Sequence, residues 1–508
     1  MSRFPVINSD SNTWGAVLND FLAVTHNADG TLKSFINVKD SKWGAMGDGV
    51  TDDTLAIQAA INSITRGVIC LPFGNYIISS SIIIDKPYIT LLAWGEIGTT
   101  LITIAGSSDP AWAIIIGNTQ QSNNCVIQGI SFQGKNSTTS TGGAVLVRGA
   151  ECDIMNCCIT QFGGSGLKLD AVSGASDQCY FENITLQSNG MNAGTPGDNL
   201  VITGNTGDCE YHRIISFGNV AKNTTRHGFN CLGYQQKFVD CHAYFCSGDG
   251  FNQQGGANTQ IVGGEWETNA GNGINIQNTS NIIIDDVSCF ANTAKDIVLV
   301  STPKFVVHAA QCISATFDKN MGIFSTDKGI VSDSVFIDAN STNLQISGCT
   351  RINVHDCYFE SSVDAIQVDS TYHDIHDNIV SLGTIREQSG ANYNQIHNNT
   401  LYPGAGSIVM VGTNTRADGN NGFNPIGSVT PPSIPASGTA IQNVKGFDCM
   451  VSIIAGTVTS IAIGNTSGTT VNTGITSNAS GVTILLKAGQ WIKLTYSVVP
   501  TSWTWFGE

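Results

Sequence analysis

The sequence predicts an all-β protein built mainly as a parallel β-solenoid, and three observations carry that expectation. From Gly228 to Val300 the chain falls into lines of equal register, with Phe229, Phe251, Ile274 and Ile297 separated by 22, 23 and 23 residues. A period in the low twenties is what stacked β-coils require. The matched positions are apolar, so each coil can stack the same side chains inside. Composition agrees: of 508 residues, 56 are Gly and only 12% are charged, which suits many short strands joined by tight turns.

The elements follow in chain order. Residues 1–36 stand apart as an N-terminal segment. Asn12 is a candidate N-cap, Trp14, Val17, Leu18, Phe21 and Leu22 recur at helical spacing, and the turn Asn27–Gly30 stops the helix. An isolated helix of this kind must dock on its own solenoid, a sister chain or a larger assembly. The solenoid begins at residue 37 with "NVKDSKWGAMGDGVTDDTLAIQAAINSITRGVICLPFGNYIIS". Thr51, Asp52 and Asp53 are expected to satisfy the free N–H groups of a capping helix over about 51–64. Its apolar face, Ile57, Ala60, Ile61 and Ile64, would cover the open first coil.

Leu167 and Leu200 are spaced 33 residues apart, and Leu200 and Phe229 another 29, so the excess must leave as loops around Ser188–Asp198 and Asn219–Arg226. Further on, His355, His376 and His397 recur every 21 residues, followed by Asp356, Asp377 and Asn398 and then by Cys357, Asn378 and Asn399. Rungs about 4.8 Å apart set such histidines in a line rather than around one ion, so a ladder serving the turn backbone is expected. The solenoid is expected to end at 425. Pro431, Pro432 and Pro435 mark a linker over 426–437, and the alternating runs of 438–508 predict a small antiparallel β domain.

Charge and motifs exclude several functions. A net charge of −16 argues against nucleic-acid and membrane partners, and an acidic polysaccharide would need locally basic or neutral ground. No segment approaches 18 uninterrupted apolar residues, and "MSRFPVINSD" lacks a signal-peptide pattern. The 15 cysteines form no CxxC pair and suit reduced core positions in a chain folded in a reducing cytosol. No spacing of His, Cys or carboxylates marks a metal site, no cofactor is indicated, and neither a GxSxG elbow nor a phosphate loop is present.

The run "GDGVTDDTLAIQAAI" followed by "LPFGNYIIS" resembles the start of the pectate-lyase-like right-handed parallel β-helix family, in particular its bacteriophage tailspike and tail-appendage members. The resemblance implies a right-handed single-stranded parallel β-helix, a homotrimer, and attachment of the N-terminus to a phage tail or baseplate protein. It also implies location in the virion after synthesis in the host cytoplasm, a terminal β module for trimerisation or surface contact, and recognition of a bacterial capsule or O-antigen polysaccharide. Such a motif marks the fold far more than the reaction.

The register itself nominates a site. Aligning "VDCHAYF", "VGGEWET" and "IDDVSCF" superposes Cys241, Gly264 and Val287, and likewise Ala243, Trp266 and Cys289, which should point inward. The alternating residues point out: His242, Glu265 and Ser288 in one column, Tyr244, Glu267 and Phe290 in the next. Carboxylates two apart on a strand, roughly 6–7 Å between Cα atoms, can serve as acid and base of an endo-acting glycoside hydrolase, with side-chain freedom allowing the wide spacing of inverting enzymes. Glu265 and Glu267 are therefore the candidate catalytic pair, Asp249 is the substitute partner, and His242, Tyr244 and Trp266 are candidate substrate-binding residues. Asp249 shares its column with His227, Asn272 and Lys295, which favours a turn role; Glu360 and Asp364 rank below. Two other readings stay open: a lyase acting on a uronic-acid glycan through Tyr244 or His242, and a receptor-binding appendage without catalysis. A site between trimer subunits is equally open.

Overall fold

The computed structural model describes residues 14–26 and 34–507, apart from 96–97, 107–108, 171–176, 195, 219–224, 315–319, 339–341, 403–406, 413, 423–426 and 477–480. Asn12, the turn Asn27–Gly30 and most of Asn219–Arg226 lie outside the described residues. The chain divides into two compact units, Met1–Thr293 and Ala294–Glu508.

The first unit opens with the helix Trp14–Thr25, followed by parallel β-helix coils from Phe35 onwards. The capping helix runs Thr54–Asn62 and buries Thr54, Ile57, Ala60 and Ile61. Its N-terminus differs from expectation in detail. Asp52 accepts the Thr54 N–H at 3.0 Å and the Ser79 hydroxyl at 2.6 Å. Thr51 instead donates to Asp48, and the Asp53 carboxylate makes no cap bond but takes the N–H groups of Met46 and Gly47 at 2.6 and 3.0 Å. The glycine-rich loop competes for these side chains, because its own amides have no strand to pair with. Gly47 has φ +59°, and a Cβ there would meet the Tyr76 ring at 3.0 Å.

Successive coils pair in parallel and largely in register, with shifts where Asp48–Asp52 meets Gly74–Ile78 and where Tyr358–Val368 meets Ile379–Glu387. Leu200, Phe229, Phe251 and Ile274 stack as one column, as the period predicts. Coil corners use left-handed residues: Asp240 at φ 52°, Gly263 at 69° and Asp286 at 53° occupy the same turn on three coils. Inside another turn, Asn269 accepts the Cys246 N–H at 3.1 Å and donates to Asn292 at 3.0 Å, carrying an amide ladder from coil to coil. All 15 cysteines are free, and every one but Cys158 is buried.

The second unit holds parallel coils from Ile297 to Asp418, with the column Ile297, Met321, Leu344 and Ile366. The histidine ladder forms as a stack: His355 to His376 and His376 to His397 lie 5.2 and 5.1 Å apart, with interplanar angles of 7° and 9°. Asp356, Asp377 and Asp374 each bond one imidazole at 2.7–3.0 Å. Beside it, Asn378 donates to Asn399 and Asn399 to Asn420, both at 2.9 Å.

Two four-stranded antiparallel sheets follow, packed on a core that includes Val451, Ile461, Leu494, Trp503 and Trp505. Gly427–Val429, within the stretch read as a linker, pairs with Ser502–Gly507. The prolines are held down as well: Trp503 donates its indole N–H to Pro432 O at 2.7 Å, and Tyr496 its hydroxyl to Pro435 O at 2.8 Å.

Candidate functional site

The strands His242–Tyr244, Glu265–Glu267 and Ser288–Phe290 stack with the register the sequence alignment gives: His242 on Glu265 on Ser288, and Tyr244 on Glu267 on Phe290. Strand alternation puts Ala243, Trp266 and Cys289 at 0% exposure and turns the flanking residues outward. Ile215 and Phe217 precede them in the two outward columns.

His242 draws the two glutamates together. Its Nε2 lies 3.2 Å from Glu267 Oε1 and 3.7 Å from Glu265 Oε2. One oxygen of each carboxylate therefore lies within 4.8 Å of the other. The imidazole nitrogen, hydrogen-bonded to Glu267 and 3.7 Å from Glu265, gathers them in a way strand spacing alone does not reveal. The pair is asymmetric, with Glu265 55% exposed and Glu267 24%. Glu267 also accepts the Thr268 hydroxyl at 3.1 Å.

Aromatic rings border the pair. Phe217 and Tyr244 stack at 4.8 Å and 8°, and Tyr244 lies 4.5 Å from the His242 ring. Burial, and then the charge of Glu267, push the Tyr244 phenol above its ordinary pKa. Phe217 was not singled out from sequence, because the 29-residue spacing before Phe229 breaks the register that would have placed it.

Two nominated residues lie elsewhere. Trp266 packs against Phe229 and Phe251 at 5.5 and 5.7 Å inside the coil, with its side chain fully enclosed. It cannot touch a glycan, which corrects its expected substrate-binding role; the strand parity that exposes Glu265 and Glu267 buries the residue between them. Asp249 sits in the turn before the strand Phe251–Gln254, 7% exposed. Its carboxylate accepts the Asn272 backbone and side-chain N–H groups at 2.7 and 2.8 Å and the Asn275 amide at 2.9 Å. The loop residue Asp198 is held by Arg226, the His227 N–H and Asn230.

A second polar cluster has no counterpart in the sequence reading. On the strand Glu210–Phe217, Glu210 bonds His212 at 2.8 Å, and this bond is the main cause that holds its carboxyl below the usual range. Lys237 lies 3.6 Å from Glu210, the Tyr180 ring is 5.1 Å from His212, and Arg213 pairs with Glu182. Glu210 and Lys237 line a cleft of about 570 Å³ with Gln178, Gln235, Asn258 and Gln260.

Solved structures share this architecture. The Dettilon tailspike protein (gp208) aligns over 97% of this chain and 98% of its own, at 14% identity and a TM-score of 0.55. The A-module of the Azotobacter vinelandii mannuronan C-5 epimerase AlgE4 aligns over 76% of this chain and 100% of its own, at 17% identity and a TM-score of 0.51. The fold is thus the tailspike-like right-handed parallel β-helix. In sequence, 87 residues are 40% identical to the non-secreted LysM effector LysM19 of Penicillium expansum, and the chain spans 7% of that relative's length. The family described as rhamnogalacturonase A/epimerase, pectate lyase-like, matches residues 35–296, a little over half of the chain, and the chain belongs to that family.

Proposed function

We propose that the protein is a tailspike-type depolymerase that hydrolyses a bacterial surface polysaccharide at the face carrying Glu265 and Glu267. The observation that carries this reading is the outward cluster of two carboxylates gathered at His242 Nε2, 3.2 Å from Glu267 and 3.7 Å from Glu265, and bordered by the Phe217–Tyr244 stack. Sugar rings present C–H faces that pack on aromatic surfaces and hydroxyls that bond imidazole and carboxylate groups. Glu267, the more enclosed carboxyl, is the proton donor to the leaving oxygen; exposed Glu265 serves the anomeric centre. Their close approach favours the retaining course, in which the second carboxylate is the nucleophile. The family match and the fold shared with a tailspike and a polysaccharide epimerase module support a glycan as the substrate class. Homotrimer assembly and attachment through the N-terminus to a phage tail belong to the same proposal.

The test is incubation of wild type, Glu265→Gln and Glu267→Gln with purified capsular and O-antigen polysaccharides, reading fragment size and ultraviolet absorbance. Fragments that do not absorb, lost in both variants, are expected. A glycan bound but never shortened would leave a receptor-binding appendage instead.

A second reading has its own observation. Tyr180 and His212, with Lys237 and Arg213 beside them, assemble a phenol, an imidazole and cations on the neighbouring face. That set suits proton abstraction next to a uronate carboxylate, as a lyase or epimerase requires. Products that absorb in the ultraviolet, abolished by Tyr180→Phe and not by Glu267→Gln, would select it.

A further inference from the structure

Resting on the reading of the Glu265–Glu267 face as the glycan-cleaving site, we propose that His242, Glu265 and Glu267 also form a regulatory site for one zinc-class divalent ion, whose binding switches cleavage off.

The donors converge. His242 Nε2, one Glu265 oxygen and one Glu267 oxygen all lie within 4.8 Å of one another, and among the described residues no other group of three such side chains does so. Metal–ligand bonds of about 2.0–2.2 Å place tetrahedral neighbours roughly 3.4 Å apart. The His242 contacts, 3.2 and 3.7 Å, bracket that value. The third separation closes by rotation of Glu265, whose side chain is 55% exposed and whose ion-pair partner is His242. Position is fixed from below: His242 and Glu265 are register partners on adjacent coils, and the imidazole lies against the Tyr244 ring.

Charge points the same way. Among the described residues no Lys or Arg pairs with Glu265 or Glu267; His242 is the ion-pair partner of both. Two carboxylates share one imidazole in a chain of net charge −16, so a divalent ion neutralises what the protein leaves uncompensated. The imidazole decides the metal class, because calcium and magnesium prefer all-oxygen shells whereas zinc accepts mixed nitrogen and oxygen donors. The other imidazole–carboxylate contacts, such as His212–Glu210 and His376–Asp377, supply a single pair each.

The consequence for catalysis follows from the ligand set. Hydrolysis needs one carboxyl to give a proton and the other to serve the anomeric centre, and here each gives one oxygen to the ion: a cation sits where the Glu267 proton would be, and Glu265 is tied to the metal. Three protein ligands leave the remaining position to water or a sugar hydroxyl, so the ion need not exclude the glycan in order to stop its cleavage.

The probe is cobalt(II), titrated into the full chain without glycan and followed by visible absorption, with zinc(II) as competitor. One bound Co²⁺ per chain is expected, displaced by Zn²⁺. Glu265→Gln and His242→Asn should each weaken Co²⁺ binding by a factor on the order of ten or more; circular dichroism confirms that the coils persist. Glu265 is the safer variant because its side chain is largely solvent-exposed. No band in wild type, or a band that survives both substitutions, overturns the site. In a second arm, Zn²⁺ should slow polysaccharide cleavage and chelation should restore it; cleavage indifferent to Zn²⁺ under conditions of full occupancy overturns the regulatory role. Cleavage that persists in Glu265→Gln and Glu267→Gln sinks the hydrolysis reading instead and leaves the cobalt result untouched.

Discussion

Tyr244 and Glu267 occupy the same outward position on successive coils, and the carboxylate's charge reaches the phenol one rung away. Burial is the larger cause of the raised phenol pKa and Glu267 the second. Removing the charge in Glu267→Gln should lower the Tyr244 pKa while leaving it above the ordinary value. Carbon NMR of ring-labelled tyrosine during an alkaline titration reads it directly. An unchanged Tyr244 resonance would show that the two groups are not neighbours in solution.

Replacing either glutamate separates the catalytic readings by rate. Loss of a positioned general acid or base costs about 10²–10⁴ in rate, so Glu267→Gln should fall by that range with glycan binding retained. NMR of the first-formed product should show the anomeric configuration of the substrate preserved. Inversion would mean that the carboxylates part widely when the glycan binds.

Trp266→Phe should leave glycan binding unchanged, because the ring is enclosed between Phe229 and Phe251. Trp266→Ala should destabilise the protein by about 3–5 kcal/mol through the cavity it opens. Chemical denaturation measures the second effect, and isothermal titration with glycan the first.

Acid stability should depend on His373. Burial depresses its pKa to about 4, with Nδ1 accepting the Ile352 N–H at 3.2 Å and Nε2 bonded to Ser370 at 2.9 Å. The unfolded chain binds a proton near pH 6.5 that the folded one refuses, so the stabilisation is present above that pH and is lost as pH falls toward 4. The loss is about 3 kcal/mol at most. His373→Gln should flatten this part of the stability–pH curve, and unfolding midpoints between pH 7 and pH 4 test it.

The amide ladder should matter far more than exposed amides. Asn269 is 1% exposed and bonds Cys246 N, Ala243 O and Asn292. Asn269→Ala takes the acceptor from the Cys246 N–H and a donor from Ala243 O, while Asn292 Oδ1 keeps the Asn269 backbone N–H; it should cost about 2–4 kcal/mol, since each buried unsatisfied group costs about 1–3 kcal/mol. Asn281→Gly, which loses one exposed contact to Asn258 but keeps the left-handed φ of 57° without strain, should stay within about 0.5 kcal/mol. Thermal melts of the two variants make the comparison.

What could be read from sequence was what the repeat encodes. Equal spacing gave the columns of Ala243, Trp266 and Cys289 and, by parity, the outward glutamates. It could not give the direction in which His242 leans, because the bridge to Glu267 is a choice of side-chain torsions rather than of register. Where coils lengthen, as from Leu167 to Phe229, spacing no longer marks phase, and the cluster of Tyr180, Glu210 and His212 stayed hidden. Local rules failed where tertiary partners outbid them. Asp53 has the chemistry of a helix cap but serves the amides of Met46 and Gly47, and the proline-rich stretch is pinned by Trp503 and Tyr496.

Asn378 and Asn399 hand their amides along the coils in one direction, each using the next asparagine side chain as acceptor, and Asn420 ends the series on Ile396 O. A chain of identical links has no preferred length. A 21-residue coil inserted between Asn378 and Asn399, with Asn at the same turn, would find a donor above and an acceptor below already in position. Duplication or loss of a whole coil is therefore the genetic change this architecture tolerates best, while a single inserted residue breaks the series. The number of coils can thus change by whole units without rebuilding those on either side.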